Sequence, residues 1–153
     1  MLLYHFTCVE CLPTILREGL SRGEVPYSAT EVGNAVNLTV DSMPEGNGVF
    51  RGALLTDEER ATFARINNRA EPPQGARWPD KTAVRISVEI PSSDCKLVKW
   101  EPFARRRLDP EWLAALHEGQ KPDGWWLYFG TIPPSNFTEV CERDGDSYQQ
   151  IAP

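Results

Sequence analysis

Histidine is scarce in this chain: His5 and His117 are the only two in 153 residues. That excludes metal sites built from three histidines. No apolar run approaches the roughly 18 residues of a membrane-spanning helix. The opening Met-Leu-Leu-Tyr-His has no basic stretch ahead of a long apolar one, so the expectation is a cytoplasmic protein without a secretion signal. Lysine is also sparse, at four against twelve arginines, and the formal net charge is −6. An acidic chain gains little from the counterion release that drives non-specific nucleic-acid binding. The one basic knot, Arg105-Arg106-Arg107, reads either as a phosphate grip or as a solvated face.

What is present is ordinary globular material, 41% hydrophobic and 25% charged, in a length that suits one domain over residues 1–153. Leu2 to Thr7 reads as a strand with Leu3, His5 and Thr7 on one face and Tyr4 and Phe6 on the other. A helix is expected over Leu12–Glu18, with Pro13 in its first turn and Gly19 as its left-handed stop. Ser21 to Asn34 is polar and turn-rich, and Ala35 to Val40 is a second strand. The loop from Asp41 to Gly48 follows.

Thr56 and Glu59 form a capping-box pattern for a helix from about Asp57 to Ile66. Asn67 to Lys81 carries three prolines and reads as a long surface loop. Val84, Ile86, Val88 and Ile90 alternate with polar residues, the clearest half-buried strand in the chain. Leu97–Trp100 is a further candidate strand. Asp109-Pro110 opens a helix with Trp112, Leu113 and Leu116 on its apolar side, ended by Gly119. Trp125–Phe129 and Phe137–Cys141 complete the strands, the latter with Phe137, Glu139 and Cys141 on one face. Strands and helices do not strictly alternate, so the fold class is α+β with a largely antiparallel sheet.

Two motifs carry chemistry on spacing alone. Cys8-Val-Glu-Cys11 lies between a strand and a helix, where a thiol redox pair would sit; two small buried residues three apart is the plainer reading. Cys95 and Cys141 form no second close pair, so a four-cysteine zinc site is disfavoured and no metal is expected. Gly46-Asn-Gly48-Val-Phe-Arg-Gly52 has one residue too many for a dinucleotide loop and reads as a turn. Trp125 and Trp126 are adjacent on a strand and must face opposite sides. One of them is free either to stack a nicotinamide, adenine or base, or to pack under a helix.

Three segments of the first forty residues make a larger pattern: Tyr4-His5-Phe6-Thr7, Leu12-Pro-Thr-Ile-Leu-Arg-Glu-Gly-Leu20 and Val36-Asn-Leu-Thr39. Together they resemble the opening of the ADP-ribosyltransferase superfamily, closest to bacterial branches that include DNA-modifying toxins and the RNA 2′-phosphotransferases. The resemblance implies a split β-sandwich of mostly antiparallel strands with a few short helices. Two facing sheets would leave a cleft lined by His5, Thr7 and Thr39. It implies NAD as substrate and a macromolecular acceptor, nucleic acid or protein, in a toxin, phage or defence setting.

By the same resemblance, His5 bonds the NAD ribose and backbone at Phe6 and Thr7 holds the nicotinamide amide. Leu38 and Thr39 supply the second strand. The position closest to the family's late-strand glutamate holds Trp125, a candidate cofactor contact. The nearest downstream carboxylate is Glu139, taken with His5 and Thr39 as the catalytic set. The phosphotransferase branch lacks that glutamate and grips phosphate with basic residues, for which Arg17, Arg22, Arg51 and the Arg105 knot are available. Two other classes stand beside the enzyme: a non-catalytic binding module on the same fold, and a thiol oxidoreductase using Cys8 and Cys11.

Overall fold

The computed structural model describes residues 1–27, 31–67 and 70–152. Its strands are β1 (Leu2–Thr7), β2 (Glu24–Pro26), β3 (Val32–Asn34), β4 (Val36–Thr39), β5 (Val84–Glu89), β6 (Leu97–Lys99), β7 (Trp125–Tyr128), β8 (Phe137–Asp144) and β9 (Ser147–Ala152). Its α-helices are α1 (Leu12–Glu18), α2 (Asp57–Asn67), α3 (Trp100–Ala104) and α4 (Pro110–His117). Seven strands form one antiparallel sheet in the order β6-β7-β4-β1-β5-β8-β9, and β2 and β3 form a separate hairpin. The α+β class with mostly antiparallel strands therefore holds. In place of two separate facing sheets there is one sheet, because β1 is paired along both edges.

Those two pairings are unequal. Against β5, β1 is in register over its full length, from Leu2↔Glu89 to Thr7↔Val84. Against β4 it meets at one residue pair, Tyr4↔Thr39. Beyond that pair the strands part like a fork, so the sheet has two halves: β6-β7-β4 and β1-β5-β8-β9.

Register sorts the side chains onto two faces, since neighbours along a strand point opposite ways. Leu3, Val36, Leu38, Ile86, Val88, Leu97, Tyr128 and Val140 gather on one face in a core that crosses the fork. Leu12 and Ile15 of α1 pack onto it. On the other face, Leu127 joins Trp100, Phe103, Ala104, Leu108 and Leu113 in a second core roofed by α3 and α4, on the β6-β7-β4 half. Trp126 packs against the first core and Trp125 against the second, as strand alternation requires.

Helix ends follow the sequence rules closely. Gly19 closes α1 at φ 86°, and a Cβ there would lie 2.3 Å from the Ile132 carbonyl oxygen. Conformation and space both demand glycine. Thr56 and Glu59 exchange the two bonds of a capping box at the start of α2. The Asp109 side chain accepts from the Trp112 amide at 2.8 Å to start α4.

Three expectations are corrected. Ser21–Asn34 contains the β2–β3 hairpin, with residues 28–30 outside the described set. Trp100 leaves the β6 strand and opens α3. The third concerns Phe137, which lies opposite Val88 while Glu139 lies opposite Ser87, so a bulge at Thr138 turns Phe137 into the first core and away from Glu139 and Cys141. The stretch from 70 to 81 is without helix or strand, as expected of a loop, but it docks back through the isolated bridges Arg51↔Asp80 and Leu54↔Arg77. Asn67 is the last residue of α2, and residues 68 and 69 lie outside the described set.

Candidate functional site: the fork between two strands

His5 sits where β1 and β4 part. Its Nδ1 lies 2.9 Å from the Asn37 carbonyl oxygen, and a carbonyl only accepts, so Nδ1 carries the proton. The side chain thus fills a place where a regular ladder would have backbone. Burial holds its pKa below the usual imidazole value, against the raising effect of the Asn37 bond and with a smaller contribution from the Lys81 charge. The ring is therefore neutral near pH 7, with Nε2 left as an acceptor that no other described residue engages.

Around His5 the other expected residues divide. Thr7 is buried on the same strand face, two residues on. Leu38 is in the first core and presents nothing polar. Phe6 points to the opposite face, where its ring lies 6.1 Å from that of Tyr148, so only its backbone is near the fork. Thr39 pairs with Tyr4, so it faces the side of the sheet opposite His5 and Thr7 and does not line a common cleft with them. It is buried, and its hydroxyl accepts from the Asp41 amide at 3.1 Å, which bends the chain out of β4. Asp41 in turn pairs with Lys121 at 2.7 Å, and that cation holds the carboxyl below the usual range.

Trp125 stands opposite Thr39 in the register. Its indole N–H donates to Asn47 at 3.0 Å, and its ring lies 6.0 Å from both Trp100 and His117. His117 accepts from the Trp100 indole N–H at 2.9 Å. The tryptophan is thus built into the helix-covered layer and ties down the loop after β4.

Glu139 does not join His5. His5 pairs with Ile86, which pairs with Val140, whereas Glu139 pairs with Ser87, which pairs with Tyr4. Register places the carboxylate on the opposite face of the sheet. There it binds Arg85 at 2.9 Å, and Ser87 Oγ donates to it at 3.3 Å. The Arg85 guanidinium lies over the rings of Tyr4 (5.4 Å) and Tyr148 (4.8 Å) and donates to the Ser42 carbonyl. Burial pushes the Tyr148 hydroxyl up to about 12. This cluster, which spacing did not reveal, clamps the loop after β4 onto the sheet, helped by Arg143, which lies 3.5 Å from Glu45. The alternation of Arg85 with Ile86 was its only trace in the sequence.

The remaining motifs resolve as structure. Arg105 pairs with Glu101 at 2.5 Å and Arg107 stacks on Phe103 at 3.9 Å, so the basic knot braces α3. Gly46 and Gly48 adopt φ of 79° and 66° in a turn lining an open cleft of about 470 Å³ with Phe50, Arg51 and Gln120. A second cleft of about 370 Å³ lies by Met1, Glu89 and Asn136. Neither is lined by His5, Thr7 or Thr39. Among the described residues no group of three or more histidine, cysteine or acidic side chains is placed to hold a metal ion. No described helix is long and apolar enough to cross a membrane. Comparison of the chain with protein-family models, curated proteins and solved structures found no match.

Proposed function

We propose that this chain is an ADP-ribosyltransferase-like domain that binds NAD at the fork between β1 and β4. The observation that carries the reading is His5: a neutral imidazole fixed through Nδ1 at the point where the sheet splits, with Nε2 free to accept from a ribose hydroxyl. Parted strands leave backbone N–H and C=O groups facing the gap, the kind of groups that hold a carboxamide. In the transfer, the bond between the nicotinamide nitrogen and ribose C1′ breaks and nicotinamide leaves with the electron pair. The acceptor, on a nucleic acid or a protein, bonds to C1′ and gives up its proton. His5 would orient the ribose; Thr39 would shape the strand beside it.

A specific observation favours the non-catalytic variant as second reading. Glu139 lies on the face away from His5 and is occupied by Arg85, and by the resemblance Trp125 stands where the family carries its acid. The domain would then bind a nucleotide without consuming it.

Thermal unfolding with and without NAD tests the site, on the native chain and on His5→Ala. Ligand at about 100 times its dissociation constant raises stability by roughly 2.7 kcal/mol, a clear rise in Tm. The expected result is a rise in the native chain that the variant loses. A native chain that NAD leaves unmoved overturns the reading. Release of nicotinamide over time then separates the transferase from the binding module.

A further inference from the structure

Four cysteines are free, and two of them are adjacent in space. Cys8 ends the segment leaving β1 and is 6% exposed; Cys11 is exposed at the threshold of α1. Between them the chain makes one 3-10 turn, closed by the Cys11 amide donating to the Cys8 carbonyl at 3.2 Å. That turn brings the sulfurs to 3.1 Å, with the Cys8 thiol donating to Cys11 Sγ. A disulfide needs a further approach of about 1 Å.

We infer that Cys8 and Cys11 form a reversible thiol–disulfide site whose reactant is a low-molecular-weight disulfide such as glutathione disulfide. Exposure assigns the order of events. Cys11 is the thiol that an outside molecule reaches; Cys8, buried behind it, is the resolving thiol. Burial and the bond to Cys11 push the Cys8 thiol up to about 11, which keeps it protonated until the second step. This polarity is opposite to a redox pair whose first cysteine is the exposed nucleophile.

The exchange balances in two steps. Cys11 loses its proton and attacks one sulfur of glutathione disulfide; the Cys11–glutathione bond forms, the glutathione S–S bond breaks, and the departing thiolate takes a proton. Cys8 then loses its proton and attacks the Cys11 sulfur, and the second glutathione leaves and is protonated. Two protein thiols are oxidised and one glutathione disulfide is reduced to two thiols. The product ring fixes the turn joining β1 to α1. Cys141 is buried beside Arg85 on the far face, and Cys95, although exposed, has no thiol beside it, so an adduct there has no resolving partner; the 3.1 Å contact belongs to the first pair.

The test treats the folded native chain with glutathione disulfide and maps the product by mass spectrometry. Cys8 and Cys11 share one tryptic peptide, Met1–Arg17, which holds no other thiol. That peptide is expected to lose two hydrogens and to hold no free thiol after unfolding, whether or not the exposed Cys95 carries a separate glutathione adduct. Cys8→Ser should stall as a single glutathione adduct on Cys11, and Cys8→Ala should do the same if the serine variant folds poorly. Cys11→Ser should react more slowly than the native chain. A native chain that keeps a stable adduct on Cys11, or that joins Cys11 to Cys95, overturns the inference. So does a native chain whose Met1–Arg17 peptide keeps both thiols.

Discussion

At the scale of single residues, His5 has the most to say because its environment contradicts its chemistry. An imidazole prefers water when charged, and here it is placed in the fork with a carbonyl on one nitrogen and the Lys81 charge nearby. In the unfolded chain it titrates near 6.5, and in the fold its value is lower. Above that window both states are neutral, and the histidine contributes no pH dependence. As pH falls through about 6.5 the unfolded chain takes up the proton first, so stability is lost until the lowered folded value is reached. His5→Asn keeps a donor for Asn37 and removes the titration. Urea midpoints at about pH 7.5 and 5.5, on either side of that value, should therefore differ more for the native chain than for the variant. Equal losses in both would show that His5 titrates normally in the fold.

At the scale of elements, local chemistry is strongest where a side chain closes a helix end. The Thr56 hydroxyl accepts from the Glu59 amide at 3.2 Å, and Glu59 answers with a bond from the Thr56 amide at 2.8 Å. Those bonds hold the Glu59 carboxyl below its usual range. Thr56→Ala should cost about 1 kcal/mol, read as a lower urea midpoint, with faster amide exchange at Glu59. An unchanged exchange rate at that amide would mean the cap does not hold the helix. Such ends were legible: α1 with its Pro13 and Gly19, α2 with its box, α4 with Asp109. So was β5, whose two-residue period is the imprint of a half-buried strand. The β2–β3 hairpin and β9 were not, because β2 and β3 are three residues each and pair only with each other, and β9 buries none of its side chains fully, so little periodicity marks them. The same limit explains Glu139. Its place relative to His5 depends on register across three strands, and a single bulge at Thr138 resets which neighbours share its face. A strand pattern read alone cannot carry that.

At the scale of the whole molecule, the question is what keeps a forked sheet together. One residue pair joins the halves through backbone, and the second core lies on the β6-β7-β4 half alone. The first core spans the gap: Leu3, Ile86 and Val140 from one half interlock with Val36, Leu38, Leu97 and Tyr128 from the other. Hydrophobic contact, then, makes one folding unit of a structure that hydrogen bonding nearly divides. Ile86 is fully buried in that core, on which Trp126 also packs, whereas Trp100, Trp112 and Trp125 belong to the second, so the comparison is made in a Trp126→Phe background. Ile86→Ala should cost about 2–5 kcal/mol. If the core couples the halves, the tryptophan fluorescence midpoint and the far-UV circular dichroism midpoint should fall together, although the substitution is in the other core. A fluorescence midpoint that stays at its native value while the dichroism falls would mean that the two halves unfold separately. In that case the fork would be a hinge, and His5 would stand on it rather than at a fixed junction.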